Sequence, residues 1–177
     1  TVFTLGWHES ATTYWPEYVP VDESHPVTPF EAYGLSKVLG EEIVAAMSRR
    51  SGIPSVSLRI MNVIQEDGYF AMPWPLPSKE HPVRFVLWPY VDARDAATSC
   101  RLALEANTTG HEAMFIAAED IRFDAPTEAL LRDFAPTVKV RSTLEGSASV
   151  ISIEKARRLI GYSPQFSWKK LRASENS

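Results

Sequence analysis

Leu35, Val38, Leu39, Ile43, Ala46 and Met47 recur at helical spacing, and the run stops at Ser51-Gly52, so the pattern predicts a helix from Pro29 to Arg50. Thr28, followed by Pro29 and, three residues on, Glu31, reads as a capping box with proline in the first turn. Ile53 to Met61 is short and rich in branched apolar residues, which suits a buried strand directly after that helix. Asp92 is placed to cap a second helix, Ala93 to Glu105, which Asn107 to Gly110 ends before a further strand at Ala113 to Ala118. Pro126 to Phe134, Ser152 to Ile160 and Trp168 to Ala173 read as short helices, and Val138 to Arg141 as a strand. Two stretches lack a period. Gly6 to Thr28 reads as a long loop, and residues 65–89, with Pro73, Pro75, Pro77, Pro82 and Pro89, as a loop-rich insert. The alternation of helix and strand predicts an α/β protein.

A chain of 177 residues with 45% hydrophobic and 23% charged residues can bury one sizeable core. Its formal charge of -4 and scattered Lys and Arg argue against nucleic acid as a partner and toward a small molecule. The lone Cys100 reads as a small buried residue of the second helix, and a reducing, cytoplasmic setting fits it. No apolar run reaches the ~18 residues of a membrane span, and no membrane partner is predicted. Thr1-Val2-Phe3 reads as a strand entered midway, which predicts that the chain is a portion of a longer one.

Tyr33-Gly34-Leu35-Ser36-Lys37 sets a phenol and an ammonium one helical turn apart on the same face. A phenol is a poor base at neutral pH, and a nearby positive charge favours its phenolate. Such a pair can take a proton from a hydroxyl while hydride leaves the same carbon, or return it. Tyr-x-x-x-Lys also arises by chance roughly once in every few chains of this length, so a solvated helix face is the competing reading.

Context extends the pattern. The Tyr33–Lys37 helix feeds a strand ending Leu58-Arg59-Ile60-Met61-Asn62-Val63; Tyr90-Val91-Asp92-Ala93-Arg94-Asp95 opens the next helix; Pro20 to Pro26 is acidic and proline-flanked; Ser152 to Pro164 forms a closing helix, glycine and proline. These parts, in this order, resemble the extended short-chain dehydrogenase/reductase family, the NAD-dependent epimerases and dehydratases. The resemblance implies the C-terminal part of a doubly wound, Rossmann-like parallel sheet plus a small mixed α/β substrate domain. Residues 1–64 would be the remainder of the dinucleotide-binding domain and 65–177 mostly the substrate domain, with 90–118 returning to the sheet. It further implies Tyr33 as proton acceptor, Lys37 as ribose ligand, Met61 as a backbone contact near the nicotinamide, and Asn62 as a substrate ligand. Closing a turn is the competing reading for Asn62. The implied cofactor is NAD, with NADP open; the implied substrate is a sugar or nucleotide-sugar, and the implied assembly a homodimer through the tyrosine helix.

The sequence departs from the family in places. Its glycine-rich Gly-x-x-Gly-x-x-Gly turn is absent, since Gly6 is the sole glycine before Tyr33, so the chain alone is expected to bind NAD poorly. The Ser or Thr near the tyrosine is not assigned; Thr4, Ser10, Thr12 and Thr13 are fallback positions. The short insert after Asn62 keeps a free sugar or sugar acid open as substrate. Arg84, Arg94 and Arg141 are candidates for an anionic group, with a surface arginine the competing reading for each. No metal site is predicted: Thr12 stands where a His8-Glu9 motif needs its second histidine. The rival from another class is a non-catalytic fragment or binding module that keeps only the family's second half.

Overall fold

Glu31, not Thr28, caps the first helix. The computed structural model describes residues 15–29, 31–78 and 88–175, and in it helix α1 runs Ala32–Ser51. The Glu31 carboxylate accepts from the Tyr33 N–H at 2.7 Å and from the Gly34 N–H. One carboxylate there satisfies two of the orphan donors and places negative charge at the positive end of the helix dipole. Gly52, at φ 73°, closes the other end by donating to the Ser48 carbonyl at 2.8 Å, a left-handed conformation that glycine adopts without a Cβ clash. The stripe that betrays α1 in the sequence is open: Leu35, Leu39, Ile43 and Met47 are 47%, 52%, 63% and 54% exposed.

Three parallel ladders follow. Strand β2 (Ser55–Ile60) pairs with β5 (His111–Ile116), β3 (Asn62–Ile64) with β4 (Tyr90–Asp92), and β1 (Tyr18–Val19) with β6 (Lys139–Val140). Helix α2 (Ala93–Glu105) joins β4 to β5, and Asp92 caps it by accepting from the Arg94 N–H at 2.7 Å. Helices α3 (Thr127–Phe134), α4 (Glu154–Ile160) and α5 (Trp168–Glu175) complete the chain. The α/β class with parallel strands read from the pattern is the class found.

Some local expectations change. The stretch expected to be a long loop holds β1, and the insert holds a 3-10 turn at Glu66–Ala71. Cys100 is exposed; the face of α2 that turns inward carries Asp95, Ala96 and Ser99. These polar residues are buried because each is bonded: Ser99 Oγ donates to the Ala96 carbonyl at 2.7 Å, and Asp95 accepts from the Gln165 and Phe166 N–H groups, both at 3.0 Å. The strand expected at Thr1-Val2-Phe3, the fallback hydroxyls Thr4, Ser10, Thr12 and Thr13, and Arg84 lie outside the described residues.

The core is centred on β5, where Met114, Phe115 and Ile116 are fully buried, as is Ala117 just beyond it, as expected of a strand covered on both faces. Trp88 is fully buried too, edge-on to both Phe123 and Trp15 at centroid distances of 5.7 Å. At the C-terminal end, Trp168 Nε1 donates to the Ile121 carbonyl at 2.9 Å and its backbone N–H donates to the Tyr90 hydroxyl at 3.2 Å. That hydroxyl donates to Asp120 Oδ1 at 2.6 Å.

Burial pushes the Asp120 carboxyl above its ordinary value of 3.8, outweighing the Tyr90 hydrogen bond that favours the charged form. A folded carboxyl that holds its proton more tightly than the unfolded one adds stability below the unfolded value, and that stability is lost as pH rises through the raised folded value. Asp120→Asn keeps an acceptor for Tyr90 without the charge. The expected result is a flatter melting temperature from about pH 4 to 7 than the wild type shows, with the variant at least as stable at neutral pH. Paired thermal melts across that range check it.

Candidate active site at the carboxyl edge of the sheet

Arg59, near the end of β2, donates through Nε and Nη2 to both oxygens of Glu41 on α1, at 2.9 and 2.8 Å. Both side chains are largely buried, at 9% and 17% exposure. A two-pronged bond of this kind fixes the helix against the strand along their length. Helix α1 turns back into β2 through residues 52–54, so going up the strand means going toward the helix N-terminus. Lys37 and Tyr33 stand about 6 and 12 Å along the axis from Glu41 on that side. Met61 and Asn62 stand roughly 7 and 10 Å beyond Arg59 along the strand direction. The clamp therefore sets Tyr33 and Lys37 on the side of α1 toward which β2 runs, the carboxyl end of that strand, where open α/β sheets bind their ligands, and Met61 and Asn62 follow that end in the chain.

Within α1, the Lys37 Nζ lies 5.0 Å from the centroid of the Tyr33 ring. Tyr33 is 52% exposed, and neither its hydroxyl nor the ammonium has a hydrogen-bond partner among the described residues. Both are available to an incoming molecule. The Glu31 cap that bonds the Tyr33 and Gly34 N–H groups fixes the backbone under the phenol, and Ser36 Oγ donates to the Tyr33 carbonyl at 2.7 Å. Met61 is buried and its N–H donates to the Ile116 carbonyl at 3.0 Å, so contact with a cofactor would fall to other atoms of that residue. Asn62 is half-buried and opens β3 opposite Tyr90 rather than closing a turn.

Of the arginines singled out for an anion, Arg94 and Arg141 are engaged elsewhere. Arg94 donates through Nε and Nη2 to Asp92, at 2.9 and 2.8 Å, and its guanidinium lies 3.7 Å from the Phe166 ring centroid. Burial pushes the Asp92 carboxyl up, but its bonds from the Arg94 side chain and backbone prevail and hold it below the ordinary value. The Arg141 guanidinium is stacked 3.2 Å from the Tyr18 ring centroid. A different cation was missed by pattern reading: Arg122, 1% exposed, lies against Trp74. Among the described residues no group of three or more His, Cys, Asp or Glu side chains is arranged to hold a metal ion, and no helix is long and apolar enough to cross a membrane.

Residues 8–68 match the model of the NAD dependent epimerase/dehydratase family. A putative UDP-glucose 4-epimerase from Methanocaldococcus jannaschii is 49% identical over 51 residues, 29% of this chain and 17% of that protein. Among solved structures, the UDP-glucuronic acid 4-epimerase from Bacillus cereus in complex with NAD aligns with a TM-score of 0.57 and 20% identity, over 90% of this chain and 55% of that one. The glucuronic acid dehydrogenase from Chromohalobacter salexigens aligns with a TM-score of 0.55 and 18% identity, over 92% and 46%. At these identities the structural likeness is one of fold, and the chain spans about half the length of these two structures.

Proposed function

We propose that this chain, whose residues 8–68 match the NAD dependent epimerase/dehydratase family, is the acid/base portion of an enzyme that transfers hydride at a carbon of a sugar or nucleotide-sugar. The observation that carries the reading is the exposed Tyr33 phenol with the Lys37 ammonium beside it, inside the matched segment and at the carboxyl edge of the sheet. NAD is the cofactor of the family; when bound, it accepts and returns hydride. A phenol and an ammonium on one exposed helix face, neither hydrogen-bonded among the described residues, suit the donor set that a ribose and a reacting hydroxyl require.

In the proposed reaction, the Tyr33 oxygen takes the proton of the substrate hydroxyl as the carbon bearing it loses hydride and becomes a ketone. Lys37 stabilises the phenolate by charge and hydrogen-bonds a ribose hydroxyl, which holds the reacting groups in register. Asn62, at the start of β3, positions the sugar. Return of hydride to the opposite face of the ketone, with Tyr33 giving the proton back, yields the epimer; release of the ketone yields net oxidation. No glycine-rich turn for a pyrophosphate is present in the 177 residues, so tight NAD binding is proposed to need residues beyond them. The exposed stripe of α1 is proposed as the homodimer contact.

The test is to incubate the full-length protein with NAD and, separately, UDP-glucose, UDP-glucuronate and free glucuronate. Formation of a 4-epimer by NMR, or of NADH by absorbance, is the expected result. Binding of NAD with no conversion of any sugar would instead support the non-catalytic module.

A further inference from the structure

Arg122 has a side chain at odds with its surroundings. It is 1% exposed, and its Nε and Nη2 find no hydrogen-bond partner among the described residues. Those two N–H groups share one edge of the guanidinium and point in parallel, at the spacing of two oxygens of a carboxylate or phosphate. No described carboxylate takes that edge: Asp120 is held by the Tyr90 hydroxyl, and Asp124 lies 3.8 Å from Lys169. Burial pulls the guanidinium down only to about 10, so it is charged at neutral pH. The Trp74 ring, its centroid 4.4 Å away, covers one face and offsets part of the lost hydration. A ring on the face leaves the edge unmatched, and a buried charge without a counter-charge is strongly unfavourable.

We propose that Arg122 anchors an anion subsite, its Nε/Nη2 edge receiving the carboxylate or phosphate of the sugar substrate. Arg122 lies in the turn that follows β5, where the antiparallel bridge between Ile121 and Pro89 sets it beside Trp88, just ahead of β4. Two loop contacts hold it there: its N–H donates to the Trp88 carbonyl at 3.2 Å, and its carbonyl accepts from the Trp74 N–H at 2.9 Å. Trp74, which covers one face of the guanidinium, belongs to a loop rather than to a helix or strand, and local opening around Pro73-Trp74-Pro75 is the route proposed to the edge. That the anion belongs to a sugar rests on the function proposed above; the subsite itself does not.

Thermal melts and tryptophan fluorescence of the full-length protein test it, with inorganic phosphate, UMP and glucuronate as probes and chloride matching ionic strength. At about a hundred times its dissociation constant, a bound anion raises the melting temperature by roughly 5–10 °C. Arg122→Met should lose that shift and, without anion, melt no lower than the wild type. A shift with glucuronate but not phosphate or UMP assigns a sugar carboxylate; the converse assigns a nucleotide phosphate. Arg122→Lys, which keeps the charge but not the two-pronged edge, should bind at least ten times more weakly. No shift beyond chloride in the wild type, or equal binding by the Lys variant, overturns the subsite. The readout needs neither NAD nor turnover, so a shift in a protein that converts no sugar leaves the subsite standing and removes only the substrate reading.

Discussion

Replacing Tyr33 by phenylalanine in the full-length protein is expected to lower kcat by roughly 10²–10⁴-fold, the range that a positioned general acid/base contributes. The change removes one oxygen from a side chain that is 52% exposed and whose hydroxyl has no partner among the described residues. Stability should therefore move by no more than about 0.5 kcal/mol. The Phe ring still offers a face to Lys37 Nζ, now 5.0 Å from the Tyr33 centroid, so NAD affinity should change little. Steady-state kinetics, a thermal melt and a cofactor titration on the same preparation separate these effects. A kcat within tenfold of wild type would remove Tyr33 from the proton transfer.

The largest expected loss of stability is at Trp88. It is fully buried, and its ring meets Phe123 and Trp15 edge-on at 5.7 Å. Truncation to alanine removes the buried surface and leaves a cavity, about 3–5 kcal/mol, with the lost aromatic pairs adding about 0.5–1.5 kcal/mol each. Against a total stability of about 5–15 kcal/mol for a typical domain, Trp88→Ala should be at the edge of unfolding. Urea denaturation with an unchanged slope and a much lower midpoint is the expected signature. A midpoint near wild type would mean that the neighbouring rings collapse into the space.

The sequence was most legible where period and termination coincide. Helix α2 spans Ala93–Glu105, as its Asp92 cap and following turn indicate, and β5 and α1 fall within three residues of their expected ends. Phase was harder than period. Cys100 looks like a core residue by its chemistry, yet the inward face of α2 is Asp95, Ala96 and Ser99, because N–H groups of the distant Gln165 and Phe166 satisfy Asp95 and the Ala96 carbonyl satisfies Ser99. Thr28 and Glu31 both carry cap signals, and only the coordinates show the carboxylate reaching two N–H groups. Two-residue strands such as Tyr18–Val19 carry no periodicity, since their definition lies in a partner far along the chain. Tyr33, Lys37, Met61 and Asn62 stand in the sequence as a motif, while the Arg59–Glu41 bond that ties α1 to β2 depends on which faces meet. Arg122 sits among Asp120, Ile121, Phe123 and Asp124, a polar-rich turn that reads as solvated; only the apolar residues on either side hinted at burial.

The parallel ladders also bear on how the chain is made. Tyr18 has no strand partner until Lys139 has been synthesised, and Ser55 waits for His111. On a ribosome, α1 and its apolar stripe emerge long before the β-pairing that seats the neighbouring strand can close. A chain that has reached β2 but not β5 thus carries an unpaired strand edge beside α1, which leaves it prone to pairing with other chains until His111 to Ile116 have been made.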